Sequence, residues 1–145
     1  MIPDFTPSGL LPPGIHVTSW EEFAGRFCVF KRSDQRLRIG ARLQNLFDEC
    51  RRSGIVIRFV VARSFVTAKD EPNDFDGNVI LDASILDKPL PPFQYNLVSK
   101  KMAQKMFKGD VFPVFDNSNS ISDVFEFFQT TRDGKKIGIV EIQLW

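Results

Sequence analysis

The most apolar stretch of the chain is Ile55-Val56-Ile57-Arg58-Phe59-Val60-Val61, broken only by Arg58, rich in β-branched residues and preceded by Gly54. Such a run predicts a strand buried on both faces. Before it, Ile39, Leu43, Leu46, Phe47 and Cys50 recur at helical spacing, with the arginines mostly off that stripe, which predicts a helix over about 33–52. Gly54 suits the left-handed position that ends it. A shorter helix starts at a Thr18 or Ser19 cap, with Glu21 and Glu22 at capping-box distance and Trp20, Phe23 and Phe27 as its apolar stripe. Residues 1–17 are rich in proline and glycine and read as an extended arm, whose Ile2, Phe5, Leu10, Leu11 and Ile15 need a surface to pack on.

Beyond a polar loop over 62–73, a second strand is expected over 74–81. A proline-rich link (Pro89, Pro91, Pro92) leads to a helix over about 95–108 that Gly109 closes. Asp110-Val111-Phe112-Pro113-Val114-Phe115 reads as a third strand, and Pro113 assigns it to a sheet edge. Ser120 with Asp123 starts a helix carrying Ile121, Val124, Phe125 and Phe128. After an Asp133-Gly134 turn, Val140, Ile142 and Leu144 alternate with Glu141 and Gln143 as a last strand. Helices and strands interleave, so the fold class is α/β or α+β: a small mixed sheet with helices packed on it, in one domain over 18–145 preceded by the arm.

Composition narrows the chemistry more than the fold. At 145 residues the chain suits one domain with a hydrophobic core. Fifteen phenylalanines against one tyrosine supply core, with some left for a partner surface. A formal net charge of +1 gives no global attraction to nucleic acid. Basic residues do cluster, at Lys31/Arg32, Arg36/Arg38/Arg42, Arg51/Arg52 and Lys100/Lys101/Lys105/Lys108. They read as the solvated faces of two amphipathic helices, or as a phosphate- or RNA-facing patch. Cys28 and Cys50 lack any CxxC spacing and His16 is the single histidine, which excludes a His/Cys zinc site and leaves a triad only His16. The N-terminus has no basic and apolar leader pattern, and no window approaches a membrane span, so a cytoplasmic protein with no membrane partner is expected.

Asp74-Phe75-Asp76 is the candidate for chemistry, readable on its own as a solvated strand start or as a paired-carboxylate site. On a strand, side chains alternate with period two, so Asp74 and Asp76 point to one face. Two adjacent carboxylates repel unless a cation or proton lies between them. A hard divalent ion such as Mg²⁺ accepts carboxylate oxygens and keeps positions for phosphate oxygens.

A hydrophobic strand running into a loop with Ser64, followed by Asp-Phe-Asp, resembles the signature of the nucleotidyltransferase superfamily (DNA polymerase β-like). More closely, Met1–Phe5 with Gly9–His16, Ser64–Lys69 with Pro72, Asp74–Asp76, Val111–Pro113 and Asp133–Val140 resemble the bacterial family of unknown function DUF6932 over nearly the whole chain. The resemblance implies that Asp74 and Asp76 hold metal and that Ser64 contacts a nucleotide phosphate. Arg63, Thr67 and Lys69 share that loop, with Lys69 available to neutralise phosphate charge. The third carboxylate is expected at Asp110, with Asp116 next and Asp82 after it. The implied activity is Mg²⁺-dependent transfer of a nucleotide from an NTP to a protein or RNA acceptor, in a toxin–antitoxin or phage-defence setting. Two departures favour a catalytically degenerate module that binds a protein partner: Arg63 stands where the superfamily has glycine, and Gly77 follows the aspartates where a hydrophobic residue is usual.

Overall fold

A computed structural model describes residues 1–29, 33–117 and 120–145. Five strands form a mixed sheet: β1 (Gly14–Thr18), β2 (Val56–Ala62), β3 (Asp76–Leu81), β4 (Asp110–Phe115) and β5 (Gly138–Ile142), in the order β1-β5-β2-β3-β4. The β1–β5 and β3–β4 pairs are parallel, and β2 runs antiparallel to both its neighbours. The helices are α1 (Trp20–Phe23), α2 (Gln35–Ser53), α3 (Pro92–Val98), α4 (Lys100–Phe107) and α5 (Ser120–Phe128). The expected mixed sheet with packed helices is what the chain forms.

The sheet divides the core in two. Phe59 and Val61 of β2 and Val79 and Leu81 of β3 face the larger cluster, which contains Leu43, Leu46 and Phe47 of α2 and Leu97 of α3. Val60, Ala62, Ile80 and Ile139 face the smaller one, closed by Phe125 and Phe128 of α5. β2 is buried on both faces from Phe59 to Ala62, while Ile57 is exposed and Arg58 pairs with Glu141 of β5.

Capping chemistry sets the boundaries. Ser19 caps α1, its hydroxyl accepting from Glu22 N at 3.2 Å. Gly54 ends α2 at φ 72°. Three elements differ from expectation. The single helix over 95–108 is broken at Ser99, whose extended backbone and hydroxyl, accepting from Met102 N, start α4 afresh. Lys108 (φ 54°), and not Gly109, takes the left-handed position that closes α4. The end of the N-terminal segment is strand β1, and Ile2 and Leu11 are buried in the larger cluster, so the expected arm wraps its own domain. β4 is an edge strand, as Pro113 implied.

Candidate acidic site at the starts of β3 and β4

The site begins with an aromatic ring and a glycine. Phe75 is fully buried and precedes Asp76; Gly109 precedes Asp110. A Cβ on Gly109 would lie 2.3 Å from the Phe75 ring, so only glycine admits the ring there. Asp110 N donates to Phe75 O at 3.1 Å, and the parallel register then places Asp76 opposite Asp110. Neighbouring strands are about 4.8 Å apart, so these two carboxylates lie side by side on one face. β3 starts at Asp76, two residues later than expected. Asp74 lies in the approach, one Oδ1 accepting from Phe75 N at 2.8 Å. Gly77 does not interrupt β3: it is buried, and a Cβ there would make only ordinary contacts.

Electrostatics identify this cluster as unbalanced. Burial, then the charge of Asp110, pushes Asp76 up to about 6, with Arg63 opposing and Asp74 adding. Asp74 is raised as well, by burial first and then by Asp110, against the Phe75 N–H and Arg42. One pair further along the same face, Asn78 is completely buried and neither its Oδ1 nor its Nδ2 has a hydrogen-bond partner among the described residues. Each such group left unpaired costs about 1–3 kcal/mol. Among the described residues, no three His, Cys, Asp or Glu side chains are already gathered tightly enough to hold a metal ion.

Arg63 follows Ala62, the β2 partner of Asp76. Its backbone is left-handed (φ 68°), the conformation a glycine adopts at no cost and other residues at about 1–2 kcal/mol. Its guanidinium lies 4.8 Å from the Phe127 ring centroid and 5.0 Å from that of Phe128, at the end of α5. Ser64 and Phe65 continue a 3₁₀ turn, Arg63–Val66. Thr67 turns its hydroxyl inward to donate to Ser64 O at 2.7 Å, and Lys69, exposed, accepts through its carbonyl from Arg36.

Arg36 is the residue that sequence reasoning misplaced. It is not on a solvated or RNA-facing side: it is buried, and its guanidinium donates to the carbonyls of Phe27, Phe65, Thr67 and Lys69 at 2.6–3.0 Å. Gln35 adds a bond to Pro72 O at 3.1 Å, so the start of α2 holds the whole loop between β2 and Asp74. The signal was present, since Arg36 stands three and seven residues before Ile39 and Leu43, on the apolar stripe. Arg38 pairs instead with Asp34. Lys31 and Arg32 lie outside the described residues.

The alternatives for a third carboxylate lie elsewhere. Asp116 and Asp82 stand at the far ends of β4 and β3, where Asp116 Oδ1 accepts from Ala83 N and Asp82 Oδ1 from Ser84 N. His16 is held through Nε2 on Pro12 O at 2.7 Å. Two cavities meet at Phe127. One, of about 470 Å³, is apolar and runs beside β4 and α5 past Phe112, Val124 and Phe128. The other, of about 340 Å³, is lined by Arg63, Thr130, Thr131 and Arg132.

Fold and site together define a small α/β protein with a carboxylate cluster where two parallel strands begin. The chain belongs to the family of unknown function DUF6932, whose model matches residues 3–143. No curated protein and no solved structure matches it. No helix among the described residues is long and apolar enough to cross a membrane.

Proposed function

We propose that the protein is a nucleotidyltransferase-like enzyme that uses Asp74, Asp76 and Asp110 to bind the magnesium complex of a nucleoside triphosphate. The observation that carries this is the register of Asp76 against Asp110, with Asp74 two residues before Asp76. Two acidic groups stand at neighbouring strand starts and a third in the approach, Asp76 being raised to about 6 by burial and by the others' charge. A cation relieves that repulsion better than a proton at neutral pH. The orphaned Asn78 amide on the same face supports a polar occupant nearby.

Magnesium bound there would orient the triphosphate and offset charge developing at phosphorus. Asp74, from the approach, and Asp76, at the start of β3, would hold it, with Asp110 facing Asp76 from β4. Arg63, on the Asp76 side, sets positive charge where phosphate oxygens would lie. Asp110 is the exposed member, placed to take the proton of an acceptor hydroxyl as its oxygen attacks the α-phosphorus. The bond to the bridging β-phosphate oxygen breaks and pyrophosphate leaves. The acceptor is a hydroxyl of protein or RNA, in the toxin–antitoxin or phage-defence setting the resemblance implies.

A second reading rests on Arg63 and Phe127. An arginine in a left-handed conformation, stacked on an aromatic ring that is 62% exposed, suits a degenerate module presenting that surface to a protein partner. Titrating ATP, GTP, CTP and UTP calorimetrically, with and without Mg²⁺, separates the two. Magnesium-dependent binding lost in Asp74→Ala/Asp76→Ala is the expected result. Absence of binding by every nucleotide overturns the enzyme reading in favour of the module.

A further inference from the structure

The site has a polarity gradient that reads across the sheet. The apolar cavity touches Phe112, two residues along β4 from Asp110 and on the same face. Asp110 neighbours Asp76 on β3, and Asp76 neighbours Ala62, after which Arg63 opens onto the cationic cavity. The apolar wall therefore adjoins the carboxylates through Phe112 and the Arg63 guanidinium through Phe127, so one region offers a face for a base, carboxylates for a phosphate-bound metal and a cation for free phosphate oxygens. With about 470 Å³, the apolar cavity is of ordinary size for a small-ligand pocket.

Its polar groups are few and opposed. Lys100, at the start of α4, places Nζ 4.4 Å from the Phe112 ring centroid; Asp123, in the first turn of α5, lines the same cavity from the other helix. Among the described residues neither forms a salt bridge. A carboxylate accepts from paired N–H donors, and an ammonium donates to carbonyl or ring-nitrogen acceptors. Guanine offers both sets on one ring: N1–H and the N2 amino group for a carboxylate, O6 and N7 for an ammonium. Adenine offers an amino donor where guanine has O6, and a lone pair at N1 where guanine has a donor. Phe127, exposed and shared by both cavities, provides a face for the ring to stack on.

We propose that the cavity between β4 and α5 binds the base of the nucleotide and selects guanine, with Phe127 stacking on it and Asp123 and Lys100 reading its edge. The proposal deepens the reading of the carboxylate site and rests on it.

The test is calorimetric titration of the full chain with Mg·GTP and Mg·ATP, repeated on Phe127→Ala, Asp123→Ala and Asp76→Asn. Residues 123 and 127 are exposed, so thermal melting should confirm that both variants stay folded. GTP should bind about tenfold more tightly than ATP, the order expected of one bidentate base-edge contact. Asp123→Ala should remove that preference by weakening GTP alone, and Phe127→Ala should weaken both nucleotides about fivefold or more. Equal affinities in the wild type, or a preference that survives Asp123→Ala, would overturn the guanine assignment. Mg·NTP binding that depends on Asp76 but shows no base preference overturns this inference alone. Absence of binding by both nucleotides overturns the guanine assignment, and the carboxylate reading falls with it when CTP and UTP fail as well.

Discussion

The two ends of the β3–β4 pair carry the same residue type and opposite electrostatics. At the far end Asp82 and Asp116 each accept a backbone N–H from the turn that follows β3, and Asp82 is held below the usual carboxylate range by the Ser84 backbone and side chain. At the near end Asp74 and Asp76 are pushed up, by burial and then by Asp110. The far aspartates are turn-forming residues whose acceptor capacity the chain itself fills. The near ones are only partly offset, by Arg63, Arg42 and the Phe75 N–H, an arrangement that costs stability and that a bound cation would relieve.

The largest effect should come from removing what holds the near end in place. Arg36→Met leaves four buried or half-buried carbonyls without their donor and should destabilise the fold by about 3 kcal/mol or more in urea titration. It should also abolish magnesium-dependent nucleotide binding, because the Arg63–Lys69 loop loses its anchor. Gly109→Ala comes next. Its Cβ has no room beside Phe75, so the two strand starts must separate, at about 2 kcal/mol, with the same loss of binding.

The sharpest contrast is one of sign. Asp116→Ala should cost about 1 kcal/mol by leaving Ala83 N without its acceptor. Asp76→Asn should stabilise the unliganded protein near pH 7, on the order of 1 kcal/mol once solvent screening is allowed for. The Asp76 carboxyl titrates near 6 when folded against an ordinary 3.8. Between those values the folded state holds more protons, so stability falls as pH rises from about 4 to 6, and the full cost is present above that. Thermal melts at pH 4 and pH 7 check this: the Asn variant should gain at pH 7 and gain little at pH 4. The smallest stability effect is expected of Arg63→Gly, where relief of the left-handed backbone and loss of the contacts to Phe127 and Phe128 nearly cancel, within about 1 kcal/mol. The same change should raise the Asp76 pKa further in NMR titration by removing its cation.

How much of this was legible differs by element. The strand over β2, the Gly54 stop and the edge position of β4 follow from local periodicity and spacing, whereas Asp110 entered as a candidate through the family resemblance and Asp74 stands before the strand expected to align it with Asp76. β1 was not legible, because a five-residue strand in a Pro/Gly-rich segment is fixed by its pairing with β5, 124 residues away, and not by its own pattern. The break at Ser99 was hidden by apolar residues that keep helical spacing on both sides of it. Arg36 was hidden by its charge, although its position on the buried stripe marked it. The special role of Gly109 needs the Phe75 ring, a contact no sequence window spans.

Manganese relaxation enhancement in ¹H–¹⁵N spectra tests the central claim most directly. Titrating substoichiometric Mn²⁺ with a nucleoside triphosphate should broaden the amides of Arg63, Asp76 and Asp110 and spare those of Ala83 and Asp116, with the broadening lost in Asp76→Asn. Broadening centred on Asp82 and Asp116, or none at Asp76 and Asp110, would contradict a cation–nucleotide site at the starts of β3 and β4.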